Sequence, residues 1–156
     1  MPVVLDDTVF KALRKVLLKL SRKRVRVGVL SSKGGNAMHD DEFTLIELAA
    51  LHEFGSEDGH IKERSFIRSA FDGRFPRGTT ELKQVTAKLY EAVINGRMTE
   101  TQALEMLGAW GVGTVQANIK AGVKPDIKEA TKRRKGSDKP LIDTGRLRQS
   151  INWDVT

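Results

Sequence analysis

The sequence predicts one α+β domain spanning 1–156, a small mixed or antiparallel sheet packed against a long helix and two shorter helices. Three observations lead there. Short period-two alternations stand near the two ends, Val25-Val27-Val29 and Ile151-Trp153-Val155, with helical spacing and helix-capping signals between them. A chain of 156 residues is long enough for one good core but not for two. No apolar run approaches a membrane span, and the first residues lack the basic-then-apolar layout of a signal peptide. The absence of cysteine removes disulfides, thiol catalysis and zinc fingers together, so synthesis in a cytoplasm is the simplest expectation.

In chain order, Asp6, Asp7 and Thr8 are cap candidates for a helix running to about Leu20. Its stripe of Phe10, Leu13, Leu17 and Leu20 is expected to cover the following strand, leaving Lys and Arg outside. Because the stripe is needed there, a membrane-surface role for this basic helix is set aside. The strand is Val25–Leu30, and Ser31–Asp41, rich in Gly and polar residues, reads as a flexible loop. Thr44 and Glu47 form a capping box, with Phe43 and Leu48 at the positions of a hydrophobic staple. Leu45, Leu48, Leu51 and Phe54, widened by Ile46, Ala49 and Ala50, predict a largely buried helix that stops at Gly55. After the polar Ser56–Gly59 loop, Ile61–Phe71 returns to the core with Ile61, Phe66, Ile67, Ala70 and Phe71, and part of Ile61–Arg68 is expected as a further strand.

Asp72–Gly78 is turn-like. Thr79 or Thr80 is expected to cap a helix carrying Leu82, Val85, Leu89, Ala92 and Val93, closed by Asn95-Gly96. A second capping box, Thr99 with Gln102, opens the long helix through about Ala121, with Leu104, Leu107, Gly111, Val115 and Ile119 along one side. Gly108, Gly111 and Gly113 each weaken it by about 1 kcal/mol relative to Ala, which predicts close approach by another element. Gly122 and Pro125 end it. Residues 124–139 read as an exposed basic arm. Pro140-Leu141-Ile142 restores hydrophobicity, Thr144 can cap a turn over Gly145–Gln149, and Ser150–Thr156 is the closing strand.

Charge is segregated along the chain. Lys11–Arg26 holds eight basic residues and no acid, Asp40–Glu63 eight acidic and one basic, and Lys120–Arg148 ten basic and four acidic. Opposed patches suit head-to-tail contacts between copies. Charge alone equally allows plain solvated faces.

The residues offer little chemistry. His39, His52 and His60 lack ligand-like spacing, and His52 stands among apolar residues near a helix end, where packing or capping accounts for it. Ser31-Ser32-Lys33-Gly34-Gly35 has the letters of a phosphate loop without its order or a following helix. Asp143-Thr144-Gly145 copies an aspartic-protease tripeptide, but occurs once and beside Arg146, so a turn-and-cap role is the better reading. The expectation is a protein that is not an enzyme and uses no cofactor or metal.

Ala49-Ala50-Leu51-His52-Glu53-Phe54-Gly55 and Ile61-Lys62-Glu63-Arg64-Ser65-Phe66-Ile67-Arg68 resemble a pattern of small structural proteins of tailed bacteriophages, the virion-morphogenesis or tail-completion proteins of the head–tail junction. That pattern is an Ala-rich helix ending His-x-Phe-Gly, a short turn, then Ile-Pro-x-Arg-x-Phe-(Ile/Leu)-Arg. Lys62 stands where the pattern commonly has Pro, which leaves the conformation of Ile61–Arg64 open. The later string Leu141–Ile151 is similar to the same proteins' Leu-Ile-Asp-Thr-Gly-x-Leu-x-x-Ser-Ile. The signature positions here are His52, Phe54, Gly55, Arg64 and Phe66, then Asp143, Thr144, Gly145, Leu147 and Ser150. The resemblance implies a structural role as tail-completion, tail-terminator or neck subunit. It implies a self-assembled ring, often a hexamer, on the tail, contacting the tail tube and the head connector, in the virion after assembly in the host cytoplasm and without a membrane. The cluster Lys132-Arg133-Arg134-Lys135, with Arg146 and Arg148, is the candidate interface or contact with passing DNA. The alternative is a small basic DNA- or RNA-binding protein, since clustered cations neutralise phosphates, although the arm has no aromatic residue for base stacking.

Overall fold

The computed structural model describes residues 7–40, 42–72, 78–125 and 145–156. The elements are α1 (Asp7–Ser21), β1 (Val25–Val29), a 3-10 turn (Ser31–Lys33), α2 (Leu45–Phe54), α3 (Arg68–Phe71), α4 (Gly78–Ile94), α5 (Glu100–Ala121), α6 (Arg146–Ser150) and β2 (Ile151–Val155). The class is α+β, as the sequence predicts.

The two strands pair antiparallel, with Val25 opposite Val155, Val27 opposite Trp153 and Val29 opposite Ile151. These apolar cross-strand pairs share one face. Arg26 and Asp154 meet on the other, the guanidinium donating to both carboxylate oxygens at 2.8 and 2.7 Å. An isolated two-stranded ribbon is marginal in water. The long helix α5, packed against both strands, supplies the missing cover. The approach is close enough to need glycine: a Cβ on Gly108 would lie 2.5 Å from Trp153 Cδ2, and one on Gly111 2.8 Å from Val27 Cγ2. This is the close contact the glycines predict. Gly113 differs, since a Cβ there meets nothing within 4 Å.

The main core joins Ala49, Phe66, Ala70, Val115, Ile119, Val123, Leu147 and Ile151, drawn from α2, the segment entering α3, α5, α6 and β2. A second cluster, Leu89, Val93 and Ala103, ties α4 to α5 and takes Val16 of α1 against it. Both capping boxes form, each Thr side chain accepting from the N3 amide while the N3 side chain accepts from the cap amide.

Several expectations are corrected. Among the described residues the sheet has two strands only. Ile61–Arg68 is not a strand because its backbone pairs locally with the end of α2: Ser56 N–H donates to the Ile61 carbonyl at 2.8 Å and Arg64 N–H to the His52 carbonyl at 2.7 Å. The helix α1 packs on α4 and α5, and the sheet is covered by α5 instead. Leu20 is buried, but Phe10, Leu17 and Leu18 remain 63%, 44% and 47% exposed. The buried face of α2 is Leu45, Ala49 and Glu53, while Phe54 is 65% exposed. The helix is therefore half-covered, and its apolar end faces out. Among the described residues, the segment expected as a loop after β1 has no helix or strand beyond the 3-10 turn at Ser31–Lys33, and it carries backbone hydrogen bonds: Gly35 N–H donates to the Leu30 carbonyl, Ala37 N–H to that of Gly34, and Leu45 and Ile46 N–H to those of Ala37 and Gly35. Thr79 and Thr80 fall inside α4 rather than before it. The expected features at Asp6, Asp41, 73–77 and 126–144 lie outside the described residues.

Candidate functional site

The two signature strings meet in one place, and a carboxylate organises it. Glu53 is 4% exposed near the end of α2. Its Oε1 accepts from the Ser65 hydroxyl (2.8 Å), Arg68 N–H (3.0 Å) and Arg68 Nε (3.0 Å), and its Oε2 accepts from Ile67 N–H (2.9 Å). The first amides of a helix have no intrahelical partners. Glu53 supplies the partner for two of them, Ile67 and Arg68 N–H at the start of α3, from another helix and with an acidic side chain where the helix dipole favours one. A buried carboxylate needs that many donors to offset its lost hydration. Arg68 completes the unit by bonding Glu63 Oε1 at 2.8 Å and lying over the Phe54 ring at 5.1 Å. That stacking accounts for a phenylalanine that is otherwise in water.

The signature residues around it act as fixings. Gly55 ends α2 at φ 81°, and a Cβ there would meet Glu63 N at 2.9 Å and the Ile61 carbonyl oxygen at 3.0 Å, so both conformation and space select glycine. His52 is half-buried and offers its carbonyl to Arg64 N–H. Arg64 donates from Nε to the Pro125 carbonyl at 2.8 Å, which ties the segment to the chain just beyond α5. Phe66 is fully buried, and its carbonyl accepts from Asn118 Nδ2 at 2.8 Å, while the same amide donates to Ser69 Oγ at 2.7 Å. In the second string, Gly145 caps α6 at φ 76°, Leu147 is buried, and the Ser150 hydroxyl donates to the Leu147 carbonyl at 2.8 Å.

The cations singled out from sequence divide. Arg146 is exposed and also engaged within the chain, donating to the His39 carbonyl at 2.6 Å and the Met38 carbonyl at 2.5 Å, so it pins the loop after β1. Arg148 is half-buried in α6, and its carbonyl accepts from Gln116 Nε2 at 3.1 Å. Lys132, Arg133, Arg134 and Lys135, with Asp143 and Thr144, lie outside the described residues.

Sequence reasoning missed Glu53, Ser65, Arg68, Ser69 and Asn118. The available signal was the four-residue spacing of Leu45, Ala49 and Glu53, which places an acid on the buried line of an apolar helix. The turn after α2 is held by Asp58, whose carboxylate accepts from the Ser56 hydroxyl and His60 N–H and is thereby kept below the usual carboxylate range. Among the described residues no group of three or more His, Asp or Glu side chains could hold a metal ion. No described helix is long and apolar enough to cross a membrane. No family model, no curated protein and no solved structure matches this chain.

Proposed function

We propose that this protein is a structural subunit of the head–tail junction of a tailed bacteriophage, acting there as a tail-completion, tail-terminator or neck protein that joins tail to head in a ring. The observation that carries the reading is the convergence of the two resembling strings: Ala49 and Phe66 from the first share one core with Leu147 and Ile151 from the second. A motif whose residues lock helices together, rather than converge on a reactive atom, is a motif of shape. Shape is what a docking subunit conserves in its own fold, while opposed charged surfaces steer its neighbours.

Deletion of the gene from its phage tests this directly. The expected outcome is accumulation of separate filled heads and tails, restored to joined particles by the protein supplied in trans. Joined, infectious particles without it would overturn the reading. The alternative of a DNA- or RNA-binding protein rests on the sequence cluster Lys132–Lys135 and requires binding to duplex DNA that weakens steeply with salt. A junction subunit has no such requirement.

A further inference from the structure

We infer that the outer face of α1 is a contact surface for a second copy of this chain, seated on that copy's acidic α2 and the turn that follows it. The inference rests on the reading of a self-assembling subunit and names the surfaces that meet.

The outer face of α1 is cationic and not dry. Lys11, Arg14, Lys15, Leu18, Lys19 and Arg22 line one shallow trough on it. Lys11 is paired with Asp7 and Lys19 with Glu100, whereas Arg14, Lys15 and Arg22 have no ion pair among the described residues. Leu18 lies exposed in their midst, and Phe10 and Leu17 are exposed on the flank. A helix that lies on a membrane keeps one continuous apolar face for the lipid, opposite its cations. Here Val16 and Leu20 are turned inward, Val16 against the α4–α5 cluster, and the exposed apolar side chains are interleaved with charge. Phosphates would use the cations and gain nothing from Leu18, Leu17 or Phe10. A protein surface that is both acidic and partly apolar uses all of them.

This chain carries such a surface. Glu47, Ala50 and Phe54 are exposed at the spacing of one helix face, Phe54 with the Arg68 guanidinium over its ring, and exposed Glu42 precedes them in the chain while exposed Glu57 and Asp58 follow. The acidic face is mounted on α2, which packs against α6 and β1, whereas the basic face is mounted on α1, which packs against α4 and α5. Different parts of the fold thus present unlike, complementary patches. A contact between them is heterologous, and repetition of such a contact gives a ring or a stack.

The test is sedimentation velocity of the purified full chain over a concentration series at low and high salt, with two charge-reversed variants that leave the capping box and the paired cations intact. The parent is expected to self-associate and to weaken as salt rises. Lys15→Glu/Arg22→Glu and Glu42→Lys/Glu57→Lys should each weaken association by roughly tenfold or more, and mixing the two variants should restore it. The quadruple variant, with both faces reversed in one chain, should associate like the parent. A parent that stays monomeric, reversed variants that associate unchanged, or a mixture that does not recover would overturn the contact. So would loss, in Lys15→Glu/Arg22→Glu alone, of binding to duplex DNA or to anionic vesicles shown by the parent, with self-association intact. None of these results depends on the phage, so the gene-deletion outcome separately decides the junction role.

Discussion

At the scale of single residues, the buried Glu53 carboxylate is the point on which the first signature string turns. Removing it would leave the Ser65 hydroxyl and the Ile67 and Arg68 amides without their acceptor, at about 1–3 kcal/mol for each buried group so orphaned, whereas the half-exposed Arg68 guanidinium would keep Glu63. Glu53→Ala is therefore expected to lower the unfolding free energy by about 3 kcal/mol or more, read as a lower urea midpoint with the slope of the transition unchanged. The glycines of α5 make an opposed set. Gly113→Ala should stabilise by up to about 1 kcal/mol, because the added methyl meets open space and the helix gains propensity. Gly111→Leu should lose on the order of 1–3 kcal/mol, because Val27 already occupies that space. Gly108→Ala should also destabilise, since the Trp153 ring cannot yield as a flexible chain end would. Equal stability of Gly111→Leu and the parent would mean that β1 does not lie across α5.

At the scale of elements, β2 completes the fold from the far end of the chain. Deleting residues 146–156 strips α6 and β2 from the core and uncovers the apolar side chains that faced Leu147, Ile151 and Trp153. Each large apolar side chain buried contributes about 1.5–3 kcal/mol, and a whole domain is stable by only about 5–15 kcal/mol. The truncated chain is expected to be unfolded or aggregated by circular dichroism and light scattering. Neutralising Lys132–Lys135, four consecutive cations in a stretch that the sequence reads as exposed, should instead leave stability within about 0.5 kcal/mol. The strand pair also carries a pH dependence. Hydrogen bonding from Arg26, then its charge and the Ser32 hydroxyl, hold the Asp154 carboxyl below its ordinary value. A carboxylate depressed in the folded state contributes stability that is present above its unfolded pKa and is lost as pH falls through the lowered folded value. Asp154→Asn should therefore be less stable than the parent near neutrality, with the gap closing below the ordinary carboxylate range. Thermal midpoints over a pH series check this.

At the scale of the whole molecule, the charge segregation read along the chain becomes a separation in space, with the basic helix resting on α4 and α5 and the acidic helix on α6 and β1. Exposed charge pairs are individually weak and screened by salt. Association of the isolated protein is therefore expected to be weak, and a ring should form mainly on a tail or tube template. Mass measurement in solution tests this, and a tight ring at low micromolar concentration without partners would overturn it.

Local rules in the sequence determined the strands at the two ends, both capping boxes, the stops at Gly55 and Gly96, and the need for something to lie against Gly108 and Gly111. Those features depend on side chains within a few residues of each other or on the space a glycine leaves, so spacing alone is enough. Only the tertiary structure decided which side of each helix is covered. The α1 stripe suits a strand or a helix pair equally well, and the packing of α4 on α5 selected the latter while leaving Phe10 and Leu17 outside. The apolar content of α2 points to Phe54 as a core residue, yet donors from Ser65, Ile67 and Arg68 make it favourable to bury Glu53 and turn Phe54 out under the Arg68 guanidinium. Ile61–Arg68 has the composition of a strand and the hydrogen bonds of a loop, because the end of α2 claims its backbone first. In each case the outcome was fixed by groups outside the element itself or by the loss of hydration at one buried group, and neither is written in the element's own pattern.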